Sequence, residues 1–187
     1  MSDERARLFV ALELPDDART TLLRWRARHV DEHAALRPTP PASLHLTLCF
    51  LGWREVAEID AIAAACARVG AACDAVRLSL AEPVWLPPRG PRVLAVELVD
   101  QAGGLAQIQS ALSGALAEGG WYRPEQRPFR AHVTVARVSK GARVRRVVLP
   151  APPPHPLLGS TVTLFRSWLA RGGARYEPLR RIELGEG

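Results

Sequence analysis

Apolar positions along the chain recur alternately with a period of two and a period near 3.6, and these runs predict its elements in order. Residues 7–15, RLFVALELP, set Arg7, Phe9, Ala11 and Glu13 on one side of a strand and Leu8, Val10, Leu12 and Leu14 on the other. Pro15 and Asp16 then open a helix whose buried stripe is Ala18, Leu22, Trp25 and Val30. A proline-rich loop, residues 35–43, leads into SLHLTLCFLG at 43–52, a strand closed by Gly52. A helix over residues 55–73 follows, with Val56, Ile59, Ala63, Cys66 and Val69 on its apolar side. Residues 76–86 read as extended chain and 87–90 as a turn.

The order then recurs. Aligning Glu13 with Glu97 in the strand RVLAVELVDQ, residues 92–101, also sets Leu14 on Leu98, Asp16 on Asp100 and Ala18 on Ala102. A helix over residues 105–118 carries Leu105, Ile108, Leu112 and Leu116, and RPFRAHVTVARV at 127–138 is the next strand. Glu13 lies 32 residues before His45, and Glu97 lies 35 before His132, so the halves have similar dimensions. The expectation is one domain, residues 1–187, made of two pseudo-repeated lobes with key strands near 44–51 and 131–138. Residues 138–149 read as a basic turn and strand, 150–156 as a stiff linker, and 162–184 as a hairpin joined by Gly172 and Gly173.

Composition narrows the setting. With 187 residues, 48% apolar content and mean hydropathy of -0.03, the chain reads as soluble and globular. No apolar run approaches the roughly 20 residues of a membrane helix, and MSDERARLF lacks a signal peptide's apolar region. A cytoplasmic protein is expected, its three cysteines reduced. The net charge of +6 and pI near 10.2 favour an anionic partner. Nearly all the positive charge is arginine, so a lysyl intermediate could involve only Lys140. Of five histidines, His29 and His33 read as solvated at a helix end and His155 as structural or solvated.

The other two carry the chemistry. His45-Leu46-Thr47-Leu48 and His132-Val133-Thr134-Val135 repeat a His-x-Thr-x pattern in matching strand contexts. Alternation sets His45 with Thr47, and His132 with Thr134, on polar fronts backed by aliphatic residues. The same parity puts Cys49 on the front beside His45, so a Cys–His nucleophile stands as an alternative to a buried thiol. Should the two fronts face one groove, one imidazole can act as general base and the other as general acid on a single phosphorus. An ordinary histidine pKa of roughly 6.5 suits either task. The threonine hydroxyls would contact non-bridging oxygens. No His-x-x-x-His, cysteine cluster or GxxxxGK[ST] occurs, so no metal or other cofactor is expected.

These paired motifs, with RLFVALELP before them and LFRSWLARGGARYEPL after, resemble the 2H phosphoesterase superfamily. Within it the chain resembles the RNA 2′,3′-cyclic phosphodiesterases, also called the LigT or 2′-5′ RNA ligase family. The resemblance implies an α+β, bilobal fold: two pseudo-symmetric halves, antiparallel sheets lining a central groove, helices outside. It implies metal-independent hydrolysis of 2′,3′-cyclic phosphate ends to 2′-phosphomonoesters, and ATP-independent 2′-5′ RNA ligation as the related joining reaction. Carried over, His45 is the proton donor and His132 the proton acceptor; Thr47, Thr134 and Arg137 contact phosphate, and Phe9 lines the nucleoside pocket. Simple alternation puts Arg137 on the face opposite His132, so its role requires the strand to end or bulge there. The implied partner is RNA or a nucleotide with a cyclic phosphate end, met by a monomer away from membranes. A 2H hydrolase of small cyclic nucleotides or ADP-ribose cyclic phosphate, or a non-catalytic RNA-end binding module, are the alternatives.

Overall fold

The computed structural model describes residues 4–144, 147–170 and 173–186. The alternating segments become strands β1 (Arg5–Glu13), β3 (His45–Glu55), β4 (Val76–Leu86), β5 (Val93–Val99), β6 (His132–Val138), β8 (Thr161–Ala170) and β9 (Gly173–Glu183). The 3.6-period segments become helices α1 (Asp16–His29), α2 (Ile59–Ala71) and α3 (Gly104–Glu118). Two short strands, β2 (Leu36–Pro38) and β7 (Pro156–Gly159), form in segments that read as loop and linker. They add to edges left by longer strands, β2 on β6 and β7 on β4, which local sequence does not reveal.

All nine strands belong to one curled antiparallel sheet, in the order β7-β4-β5-β6-β3-β1-β8-β9 with β2 beside β6. Each histidine motif therefore lies on a central strand. The half built on β3, β1, β8 and β9 meets the half built on β6, β5, β4 and β7 at one registered pair, Leu46 opposite Val133. The chain crosses between the halves after β3, where β4 joins the second, and again after β7, where β8 joins the first. The α+β class and antiparallel pairing are those expected.

Three boundaries differ from the sequence reading. Strand β3 continues past Gly52 to Glu55. Gly52 sits at φ 71, and the pairing with β1 shifts there, Phe9 facing Phe50 but Leu8 facing Gly52. Glycine thus provides a left-handed residue at a bulge and does not end the strand. The expected strand in 138–149 does not form among the described residues, where the chain turns at Gly141 (φ 79) and runs irregularly. Both edges of β6 are already occupied by β2, β3 and β5, so it had no partner there. Strand β6 begins only at His132. Of the expected glycine junction, Gly172 lies outside the described residues, while β8 and β9 pair up to Ala170 opposite Gly173.

One face of the sheet carries the main core, where Leu8, Val10 and Leu12 meet Leu46, Leu94, Val96 and Val133 under the helical stripes. The opposite face carries a small separate cluster, Phe9, Ala11 and Phe165, with Tyr176 against it. Two arginines of α1 hold the loop ahead of β3. Buried Arg26 pairs with Asp31 at 2.7 Å and donates to the Thr39 carbonyl. Arg19 donates to the carbonyls of Pro41 (2.9 Å) and Leu14 (3.1 Å). This loop ends at Ser43, whose carbonyl reaches the first motif histidine.

Candidate active site

Both motif strands bulge at the same motif position. On β3, Thr47 faces Ala11 but Cys49 faces Val10, leaving Leu48 as the extra residue. On β6, Thr134 faces Ala95 but Ala136 faces Leu94, leaving Val135 extra. An extra residue reverses the parity of everything beyond it. Cys49 and Ala136 therefore turn into the core, while Phe50 and Arg137 come to the side of the histidines. Simple alternation put Cys49 on the front; it is instead 1% exposed, and burial pushes its thiol pKa up to about 12. A Cys49–His45 nucleophile is thereby removed. Arg137 gains the bulge that its place beside His132 required.

The imidazoles are held alike. His45 Nδ1 lies 2.8 Å from the Ser43 carbonyl, and His132 Nδ1 lies 2.7 Å from the Arg130 carbonyl. A carbonyl only accepts, so each Nδ1 carries a hydrogen and each Nε2 is the variable site. Nε2 of His45 lies 3.1 Å from Thr47 Oγ1 and accepts its hydroxyl proton when neutral. Extending the Leu46–Val133 register by one residue each way sets His45 across from Thr134 and Thr47 across from His132. Glu13 is the cross-strand partner of His45, and Glu97 that of His132. Both carboxylates bond elsewhere: Glu13 accepts from Thr163 Oγ1 (2.6 Å) and Arg181 Nε (2.8 Å), Glu97 from Arg130 Nε. The histidines are thus oriented by neutral carbonyls rather than by carboxylates.

The surroundings of His45 are apolar and cationic. Ring centroids of Phe9, Tyr176 and Phe165 lie 4.9, 5.1 and 6.1 Å from its own. Burial lowers its pKa to about 4, with Arg137, His132 and Arg19 adding to the effect and the Ser43 carbonyl opposing it. Arg137 faces Arg37 directly across the β2–β6 pair. Like charges in that relation repel, and neither guanidinium has a carboxylate partner among the described residues. Such an arrangement suits an anion between them. A cavity of about 50 Å³ there is lined by Arg37, Ser43, Arg137 and Tyr176. Beyond His45, a cavity of about 480 Å³ is lined by Glu13, Arg19, Phe165, Tyr176 and Arg181. No group of three or more His, Cys, Asp or Glu side chains suited to a metal ion forms among the described residues.

A sequence model of the 2′-5′ RNA ligase superfamily matches residues 14–167, spanning both motifs. The chain belongs to that superfamily. It is 32% identical to the RNA 2′,3′-cyclic phosphodiesterase of Escherichia coli (strain K12), over 97% of this chain and 98% of that protein. The crystal structure of TT0787 from Thermus thermophilus superposes with a TM-score of 0.83 at 29% identity, covering 97% of this chain and 100% of that one. E. coli LigT crystallised with 3′-AMP gives a TM-score of 0.80 at 31% identity, covering 97% and 99%. No helix among the described residues is long and apolar enough to cross a membrane.

In this member of the 2′-5′ RNA ligase superfamily the structure brings His45, Thr47, His132, Thr134, Arg137 and Phe9 to one side of the sheet. It adds three residues that sequence reasoning did not single out, Phe165, Tyr176 and Arg130, the last paired with Glu97. Phe165 and Tyr176 belong to the β8–β9 block, and Phe165 lies directly across from Phe9. Their block was visible in the sequence, but the face each presents was not. Arg37 stood beside Pro38 in what read as a loop.

Proposed function

We propose that the protein hydrolyses 2′,3′-cyclic phosphate ends of RNA to 2′-phosphomonoesters, within a single 2H phosphoesterase domain of two pseudo-repeated lobes. The observation that carries this reading is the matched tethering of His45 and His132. Each imidazole is fixed through Nδ1 to a carbonyl two residues back, which leaves Nε2 as the proton-transfer atom, on His45 beside the Thr47 hydroxyl, and the strands bearing them are neighbours. Family membership and the named E. coli relative support the same chemistry.

In the hydrolytic step His132 Nε2 takes a proton from water as its oxygen bonds to phosphorus. The bond from phosphorus to the ribose 3′-oxygen breaks, its electron pair stays on that oxygen, and the oxygen takes the proton on His45 Nε2. A 2′-phosphate and a 3′-hydroxyl result. Thr47 and Thr134 donate to non-bridging oxygens, and Arg137 with Arg37 compensates their growing charge. Phe9, stacked on Phe165 at 5.1 Å, walls the nucleoside pocket. Free His45 is neutral at pH 7; the anionic phosphate offsets the nearby cations and favours the imidazolium that the donor role needs. An RNA 5′-hydroxyl in place of water would give a 2′-5′ diester by the same transfers.

The test is turnover of adenosine 2′,3′-cyclic phosphate in the presence of a chelator, with the product isomer identified. The parent should yield the 2′-phosphate, and His45→Ala and His132→Ala should each lose roughly 10²–10⁴-fold. A folded parent inactive on both this compound and RNA with a cyclic end would leave an end-binding module instead.

A further inference from the structure

The side of the sheet that carries His45 continues along β3 beyond the site, and it is aromatic. Past the bulge at Leu48, Phe50 faces Phe9, whose ring lies 4.9 Å from His45. Past the second shift at Gly52, Trp53 faces Arg7. The Arg7 guanidinium lies 4.6 Å from the centre of the Phe50 ring. Phe50 is 43% exposed and Trp53 54% exposed, large apolar groups left open to water. At about 3.3 Å per residue, less the bulged residues, the row reaches roughly 20 Å from His45. His45, Phe9, Phe50, Arg7 and Trp53 thus form a line of ring and guanidinium planes that starts at the reacting end.

Planes of this kind bind single-stranded RNA, whose unstacked bases lie against aromatic rings and guanidinium groups whatever their sequence. A chain with net charge +6 attracts a polyanion to such a row. The row is also continuous with the site proposed to hold a terminal phosphate, so an occupant entering there has its next nucleotides above β3. We infer that the Phe50–Arg7–Trp53 row is a stacking track for the nucleotides preceding the cyclic phosphate, which makes the protein favour RNA ends over cyclic mononucleotides. This rests on the function proposed above.

Two measurements test it. The first compares kcat/KM for hexa-adenylate ending in a 2′,3′-cyclic phosphate with that for adenosine 2′,3′-cyclic phosphate. The parent should prefer the hexamer by tenfold or more; in Trp53→Ala that ratio should fall about tenfold, and Trp53→Tyr should keep most of it. The second is fluorescence anisotropy of 5′-labelled hexa-adenylate bearing a 3′-phosphate, which reads binding without turnover. Its Kd should weaken about tenfold in Trp53→Ala, with the thermal midpoint unchanged. Equal losses on both substrates, or an unchanged ratio and Kd in a folded Phe50→Ala/Trp53→Ala variant, would overturn the track and assign the exposed rings to a partner other than RNA. Should the parent hydrolyse neither substrate, the hydrolase reading fails while anisotropy still decides the track.

Discussion

Around His132, Nδ1 is tied to a carbonyl two residues back, a glutamate sits across the pair, and a bulge at Val135 brings Arg137 forward. Around His45 the same three features recur with Ser43, Glu13 and Leu48, yet the residue brought forward is Phe50. The first half adds Phe9, Phe165 and Tyr176 about its imidazole, whereas His132 has no aromatic ring against it among the described residues. Equivalent backbones therefore place two equivalent imidazoles, and the side chains beyond the bulge make them unequal. In the proposed reaction one half would contribute charge for the phosphate and the other an apolar wall for the nucleoside.

If that division holds, Arg137→Ala should give the largest effect among variants that keep both histidines. Loss of a charged donor to the developing phosphate charge should lower kcat/KM on adenosine 2′,3′-cyclic phosphate about 10²–10³-fold. Arg137→Lys should recover only part, because a point charge lacks the planar fork. Placing the lost cation on the other half, in Arg137→Ala/Phe50→Arg, should give no recovery. Recovery by that double variant in steady-state kinetics would show the two bulge positions to be interchangeable.

Much of this plan was legible in the sequence because it repeats. Alternation gave the faces of β1 and β5, and aligning Glu13 with Glu97 matched the residues that stand opposite the two histidines. What failed was counting across a bulge. Parity assumes one residue per partner residue, and whether Leu48 is extra depends on β1, more than 30 residues earlier. So parity sets Cys49 on the front, whereas it lies in the core. The ring cluster about His45 was hidden for a related reason: Phe165 and Tyr176 arrive from a hairpin at the far end of the chain. The short strands β2 and β7 exist only because longer strands offer them an edge.

The aromatic wall should also be visible in pH profiles. With His45 held near pKa 4 in the free protein, the acidic limb of kcat/KM should lie near pH 4 rather than near 6.5. Activity falls below that limb because His45 is then protonated and the step needs one neutral imidazole of the pair, to which the limb belongs. Phe9→Ser admits water and should move the limb upward, as should Arg137→Gln by removing a neighbouring positive charge. Measured against the variant's own maximum, a rise of about one to two units corresponds at pH 5 to a loss of up to about tenfold. In kcat, which reports the bound complex, the phosphate anion favours the imidazolium, so the parent's limb should already lie higher. A limb unmoved in Phe9→Ser would separate the ring cluster from His45's ionisation.

The smallest effect is expected where the halves differ and the difference is only packing. Cys49 and Ala136 occupy the same place after their bulges, both turned into the core. Alanine already fits that place on β6, so Cys49→Ala makes the halves alike without asking the backbone for a new conformation. The change removes one buried sulfur and should cost about 1 kcal/mol through the small void left behind, read by chemical denaturation. Its thiol, held far from ionisation by burial, has no proton to exchange with His45. Turnover in Cys49→Ala should therefore stay within about twofold of the parent. A loss as large as that of Arg137→Ala would mean that the bulge positions the histidine through the side chain behind it, and that the two halves differ in scaffold as well as in surface.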